Sequence, residues 1–346
     1  MTTPYYCPKL RTLPNLLLVF VFALSYTLAE AQEEKLMLHF EGQDGPGKGK
    51  KIVLISGDDE YRSEEGLPML AKILSTHHGF STTVLFPINP ENQEVVPNHN
   101  SNIPGMEALE DADLAIILLR FRELPDEQMK YFDEFLRAGK PLIALRTSTH
   151  AFNYSKESQS PYAKYHWQSK VPGWEKGFGR KILGETWVAH HGNHAKEGTR
   201  AMMDGLQVAN KNPILNGVTD IWAASDVYTV TQLGDDATVL IHGASTSGMN
   251  PEAPINWEKS LMPVAWTKSY NLEGGKKGRV FASTMGASVD LMSEDLRRLI
   301  INATYWGLDM EPLIPEEAVV EIVGNYQPTM FGFDNFRKGM KVTDFE

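Results

Sequence analysis

The stretch that most limits what this chain can fold into is Pro141 to Asn153, which reads Pro-Leu-Ile-Ala-Leu-Arg-Thr-Ser-Thr-His-Ala-Phe-Asn. Before it, Pro125 to Ala138 carries Met129, Phe132, Phe135 and Leu136 on one helical face, and Gly139-Lys140 ends that helix. A helix, a glycine stop and a short apolar run predict a buried parallel strand of an α/β sheet. At the end of the run the composition turns polar, to Arg146, Thr147, Ser148, Thr149 and His150. Ligands of open α/β sheets bind outside the carboxyl ends of the strands, so this turn is a candidate site. A polar loop that bonds its own backbone is the plainer alternative.

The same alternation begins earlier. Lys51 to Ser56 predicts a first strand, Gly66 to His78 an amphipathic helix stopped by Gly79, and Ser81 to Phe86 a second strand. Pro87 to Pro104 is a long Asn- and Pro-rich loop. Met106 to Leu109 is a short helix, and Leu114 to Leu119 is a strand ending in Arg120-Phe121-Arg122. Parallel strands joined by right-handed crossovers are the expected solution. After His150 the period is lost, and the aromatic segment Tyr154 to Lys176 reads as an insertion over the strand ends. Phe178 to Leu183 suits a helical turn. Strands are expected at Asp226 to Leu233, Ala237 to His242, Met262 to Thr267 and Arg279 to Thr284, and a last helix at Ser293 to Leu308.

A chain of 346 residues with 42% hydrophobic and 22% charged content can bury a substantial core. Its net charge of -11 disfavours a sequence-independent grip on nucleic acid or anionic lipid. Residues 1–31 read as a signal peptide: Lys9 and Arg11, the apolar run Leu16 to Leu24, then Ala29-Glu30-Ala31. The run is shorter than the about 20 residues that span a bilayer, so export to the periplasm or medium is expected, without stable membrane insertion. Cys7 is the chain's one cysteine and lies in this segment, so the mature protein has no disulfide, thiolate nucleophile or Cys-ligated zinc. Residues 32–50 read as a linker, 51–312 as the folded domain and 313–346 as a Pro-punctuated surface tail. A homo-oligomer is compatible with the sequence.

Several groups carry candidate chemistry. Asp58, Asp59 and Glu60 follow the first strand, with Tyr61 next, and three acids exceed what helix capping needs. Arg120, Arg122 and Arg146 follow neighbouring strands and suit a carboxylate or an oxyanion. His190, His191 and His194 form the densest imidazole group. Gly192-Asn193 interrupts the helix that a metal pair at i and i+4 needs, so no metal and no other cofactor is expected, and sugar contact or acid/base work fits better. Asp226 suits orienting a histidine or accepting sugar hydroxyls, and equally a turn cap. No Walker loop, G-x-G-x-x-G or G-x-S-x-G elbow is present.

Lys51-Ile-Val-Leu-Ile-Ser-Gly57, Gly139 to Arg146, His150-Ala-Phe, Phe178-Gly179, Leu183-Gly184, His190-His191-Gly192, Asn212 to Gly217, Ser225 to Tyr228 and Gly278 to Phe281 occur in an order that resembles the ThuA-like (trehalose utilisation) family. Arg297-Arg298-Leu299, Asn302-Ala303 and Tyr305-Trp306 extend the resemblance, which covers about Lys51 to Glu311. It implies the fold of class I glutamine amidotransferases: flavodoxin-like, a mostly parallel sheet with helices on both faces. It also implies disaccharide catabolism through keto-glycosides. The amidotransferase cysteine is missing, which excludes a glutaminase. A glycine-histidine pair frequent in the family is Gly286-Ala287 here, so that histidine's role would be absent or would fall to His190 or His191.

The expected protein is an exported enzyme that acts on a small keto-sugar or oxidised glycoside by acid/base cleavage or isomerisation. His150 or His191 would be the base, Arg146 the cation beside the enolate oxygen, and Asp226 and Asp58 the hydroxyl-binding carboxylates. Glu60, Tyr61, Arg120, Trp187, His190 and His194 would bind substrate, with Trp167 as a further stacking ring. The alternatives are a non-catalytic carbohydrate-binding protein on the same fold, or a metal-dependent hydrolase using the His190–His194 cluster.

Overall fold

A computed structural model describes residues 1–5, 35–203 and 211–346. The chain divides after Glu34, and the fold lies in the unit Lys35–Glu346. Of the expected signal peptide, all but the first five residues lie outside the described residues. No helix among the described residues is long and apolar enough to cross a membrane.

The strands are β1 (Met37–Phe40), β2 (Lys51–Gly57), β3 (Ser81–Leu85), β4 (Leu114–Leu119) and β5 (Leu142–Leu145), then β6 (Thr199–Met202), β7 (Trp222–Ala223), β8 (Ala237–Ser245), β9 (Met262–Asn271) and β10 (Lys277–Ser283). They form one sheet in the order β1-β3-β2-β4-β5-β10-β9-β8-β6-β7. From β3 to β10 the neighbours are parallel. Helix α1 (Ser63–His78) makes the crossover from β2 to β3, and α2 (Asp126–Arg137) that from β4 to β5.

Successive residues of a strand face opposite sides, and the core follows that rule. Ile52 and Leu54 pack on one face with α1 and the final helix α3 (Glu294–Gly307), while Val53 and Ile55 pack on the other with Met129, Phe132 and Phe135 of α2. Helices therefore cover both faces of the parallel strands, which explains why those strands read as continuous apolar runs.

The sheet as a whole is mixed, a correction to the mostly parallel expectation. β9 pairs with β10 antiparallel, β8 with β9, β6 with β8 and β7 with β6, and β1 adds an antiparallel edge beside β3. The short turn between Asn271 and Lys277 leaves no room for a crossover, so that pair has to be antiparallel. Within the segment read as a linker, Met37–Phe40 is the edge strand β1.

Asp226 to Leu233, expected as a strand, makes only an isolated bridge between Tyr228 and His190. On either side of that bridge its backbone is claimed by side chains: Arg146 donates to the Asp226 carbonyl, and the N–H groups of Thr231 and Gln232 donate to the Glu185 carboxylate. Only the stretch around Tyr228 is left to pair, with residues 189–191.

Candidate functional site

β5 ends in a sharp turn. Arg146 adopts a left-handed backbone (φ 44°), unusual for a residue with a side chain, and opens the helical turn Arg146–His150. Its guanidinium is fully buried and lies over the rings of Tyr228, at 3.8 Å, and Tyr61, at 4.6 Å. Nη1 donates to the carbonyls of Asp226 (2.5 Å) and Thr284 (2.7 Å), and Nη2 to Tyr61 Oη (3.0 Å) and Asp226 Oδ1 (2.8 Å). Arg146 is therefore committed to its neighbours. Its Nε is buried without a hydrogen-bond partner, while the terminal nitrogens point to Asp226, Thr284 and Tyr61, where the sequence suggested a substrate oxygen.

The partner of that cation is Asp226, also fully buried. Burial alone would raise its pKa, but Arg146 and hydrogen bonds from His190 and His194 hold it well below the usual carboxylate range. His190 Nδ1 lies 2.8 Å from Oδ2, and His194 Nδ1 lies 3.4 Å from Oδ1. An ionised carboxylate only accepts, so His190 donates through Nδ1 and its Nε2 keeps the lone pair of the neutral ring.

Gly192 makes this arrangement possible. A Cβ there would stand 2.9 Å from Asp226 Cβ, so only glycine lets the His190–His194 turn fold over the carboxylate. The interruption of helical register at Gly192-Asn193 thus does not separate the imidazoles: their ring centroids are 4.6 Å apart. The premise for expecting no metal is corrected by this turn. One ligand atom each from His190, His194 and Asp226 lie within 4.8 Å of one another, a set that can hold a cation. His191 goes elsewhere, with Nε2 donating to the Ser260 carbonyl at 2.8 Å.

The loop after β2 brings the second carboxylate. Asp58 is buried; Oδ1 accepts from the N–H groups of Glu60 (2.7 Å) and Tyr61, and Oδ2 from the Thr147 hydroxyl. It clasps the β2 and β5 turns together, so each of its oxygens serves the protein's own donors, where the sequence suggested sugar hydroxyls. The clasp sets Glu60 Oε1 3.0 Å from His194 Nε2. Contacts with Asp226 and Glu60 push the His194 pKa up to about 9, so this ring is an imidazolium at neutral pH. Side-chain exposure is 34% for His190 and 32% for His194, against none for Arg146 and Asp226. The imidazoles meet solvent; the charges that orient them do not.

A model of the ThuA family, described as trehalose utilisation, matches residues 51–307. The chain belongs to the ThuA family. No curated protein matches it. Among solved structures, a ThuA-like protein of Parabacteroides merdae is 13% identical, with 83% of this chain and 98% of that one covered and a TM-score of 0.45. A ThuA-like protein of Bacteroides uniformis is 11% identical, with 77% and 94% covered and a TM-score of 0.44.

In this ThuA-family chain His150 sits behind the imidazole pair, in an aromatic cage. Its ring centroid is 5.0 Å from Phe121, 5.5 Å from Trp187, 6.2 Å from Tyr228 and 6.4 Å from Trp167. Burial pushes its pKa well below the ordinary value, and Arg120 and Arg146 act in the same direction, so it stays neutral. Trp187 touches both His150 and His190, the latter at 5.6 Å, which joins the β5 turn to the histidine loop. Tyr61 is buried between Arg146 and Phe331 and has no free face for a ligand.

The arginines after β4 differ in use. Arg120 Nη1 contacts both oxygens of Asp59, at 2.8 and 3.0 Å, and Nε lies 3.9 Å from Glu60. Arg122 is buried and donates to the carbonyls of Arg120, Pro97 and His99, pinning the 87–104 loop; the oxyanion role expected of it is corrected. Sequence reading assigned no role to Tyr228 or to the tail residue Phe331, which lies 5.1 Å from Tyr61 and 6.0 Å from His194. Tyr228, two residues after Asp226, had only that spacing as a signal, and Phe331 had none beyond the aromatic content of the tail.

Proposed function

We propose that this chain is an enzyme of carbohydrate catabolism that acts on a keto-sugar or oxidised glycoside by proton transfer at the carbon beside the ketone. The observation that carries the reading is the buried Asp226 carboxylate orienting the half-exposed imidazole of His190, beside a charged His194. A ketone acidifies the neighbouring C–H. His190 Nε2 accepts that proton, the C–H electron pair moves into the enolate, and the His194 imidazolium offsets the charge on its oxygen. The electron pair then either takes a proton from water on the other face, an isomerisation, or expels the glycosidic oxygen from the adjacent carbon, which leaves with the proton returned by His190, a cleavage. Membership of a family described by trehalose utilisation supports a sugar as the substrate. The proposal includes export to the periplasm or medium, supported by the N-terminal pattern Lys9 to Ala31.

A second reading has its own support. His190, His194 and Asp226 would hold a divalent cation, which would act as a Lewis acid on a carbonyl or on water in a hydrolase. Incubating the protein with trehalose and with its ring-oxidised keto form, with and without chelator, separates the readings. Proton transfer by the side chains predicts turnover of the keto form alone, unaffected by chelator. Chelator-sensitive turnover favours the metal hydrolase, and binding of sugar without turnover favours a binding module.

A further inference from the structure

The family match ends at residue 307, yet the site is walled by chain beyond it. Residues 326–337 run as a strap across the carboxyl end of the sheet. Tyr326 Oη donates to the Ser288 carbonyl at 2.7 Å, Thr329 N–H to Glu65 at 2.7 Å, and Gly332 N–H to the Glu60 carbonyl at 2.9 Å. Gly332 has φ 147°, a backbone that a side chain would strain, and the residues on either side of it part company there. Phe331 turns inward, 6% exposed, against Tyr61 and His194. Phe333 turns outward, 53% exposed, with one face on the Arg120 guanidinium at 4.8 Å.

Phe121 also lies against that guanidinium, at 4.5 Å, and touches Trp167 at 5.6 Å. Arg120 and Asp59 thus form a donor and acceptor pair whose guanidinium contacts two aromatic rings. Glu60 connects this group to the imidazoles, 3.9 Å from Arg120 on one side and 3.0 Å from His194 on the other. A ring that stacks its C–H face on Phe333 and offers hydroxyls to Arg120 and Asp59 has the chemistry of a pyranose.

We propose that Phe333, with Phe121, Arg120 and Asp59, forms an outer subsite for the second ring of a disaccharide, and that the C-terminal strap is a specificity element of this chain. The inference rests on the sugar reading above and adds to it where the second ring goes. Phe331 closes the inner site behind His194, and Phe333 receives the ring that does not react.

The test compares Phe333→Ala and Phe333→Trp with the unaltered protein, using trehalose and glucose and the ring-oxidised keto form of each, by calorimetric affinity and by KM and kcat. Phe333 is exposed, so both variants are expected to fold, and their melting temperatures check this. Phe333→Ala should weaken disaccharide binding about tenfold while leaving the monosaccharide within about twofold, and Phe333→Trp should keep both. Equal weakening for the two sugars, or an unchanged disaccharide, overturns the outer subsite while the sugar reading stands. An unaltered protein that binds none of these sugars overturns the sugar reading itself, before any variant is made.

Discussion

His190 Nδ1 lies 2.8 Å from Asp226 Oδ2, while the other oxygen of the same carboxylate is held by Arg146 at 2.8 Å. One buried anion thus neutralises a buried cation and orients a half-exposed imidazole. Both consequences are measurable.

Asp226→Asn keeps the shape but leaves Arg146 without a counter-charge. Breaking a buried pair from one side costs roughly 3–5 kcal/mol, so denaturant unfolding should show a loss of that order. The native pKa of Asp226 lies below its unfolded value. Its stabilisation is therefore present at neutral pH and lost as pH falls below the usual carboxylate range, so the variant and the parent should converge in acid. Parallel curves down to low pH would contradict the pairing.

The two candidate bases should separate by readout. His190→Ala removes a half-exposed ring and should lower turnover about 10²–10⁴-fold with little change in melting temperature. His150→Ala empties an aromatic cage and should cost about 2 kcal/mol of stability or more, with turnover largely kept in the folded fraction. The reverse pattern would return the base role to His150.

Glu64, at the start of α1, is 2% exposed, and its carboxylate accepts no hydrogen bond from another residue. Burial pushes its pKa from 4.5 up to about 8. The native state then holds this proton more tightly than the unfolded chain, so this group lowers stability by about 1.4 kcal/mol per pH unit between 4.5 and about 8. Glu64→Gln should remove that slope, and its stability should gain on the parent as pH rises through this window. Two curves that stay parallel would mean that Glu64 is ionised in the folded protein.

Much of the frame was legible because apolar runs and glycine stops report strands buried on both faces. Pro125 to Leu145 is the clearest case, and the rule that ligands sit beyond strand ends then singled out Glu60, Arg120 and Arg146. The pairing of those charges was not legible. Whether Arg146 meets a substrate or Asp226 depends on residues 80 positions apart in sequence. The role of Gly192 was hidden for the same reason: a glycine read as breaking a helix is a close approach to Asp226 in three dimensions. The tail read as surface chain because its contacts, Phe331 on Tyr61 and Gly332 on Glu60, join residues far apart in sequence.

The central claim is that His190, oriented by Asp226, moves a proton at the carbon beside a sugar ketone. Nuclear magnetic resonance in heavy water tests this directly, by following deuterium entering a ring-oxidised disaccharide next to its carbonyl. Exchange is expected with the parent protein, slower by about 10²–10⁴-fold with His190→Ala and unaffected by chelator. Exchange at the parental rate in a folded His190→Ala protein, or no exchange with the parent, would contradict it.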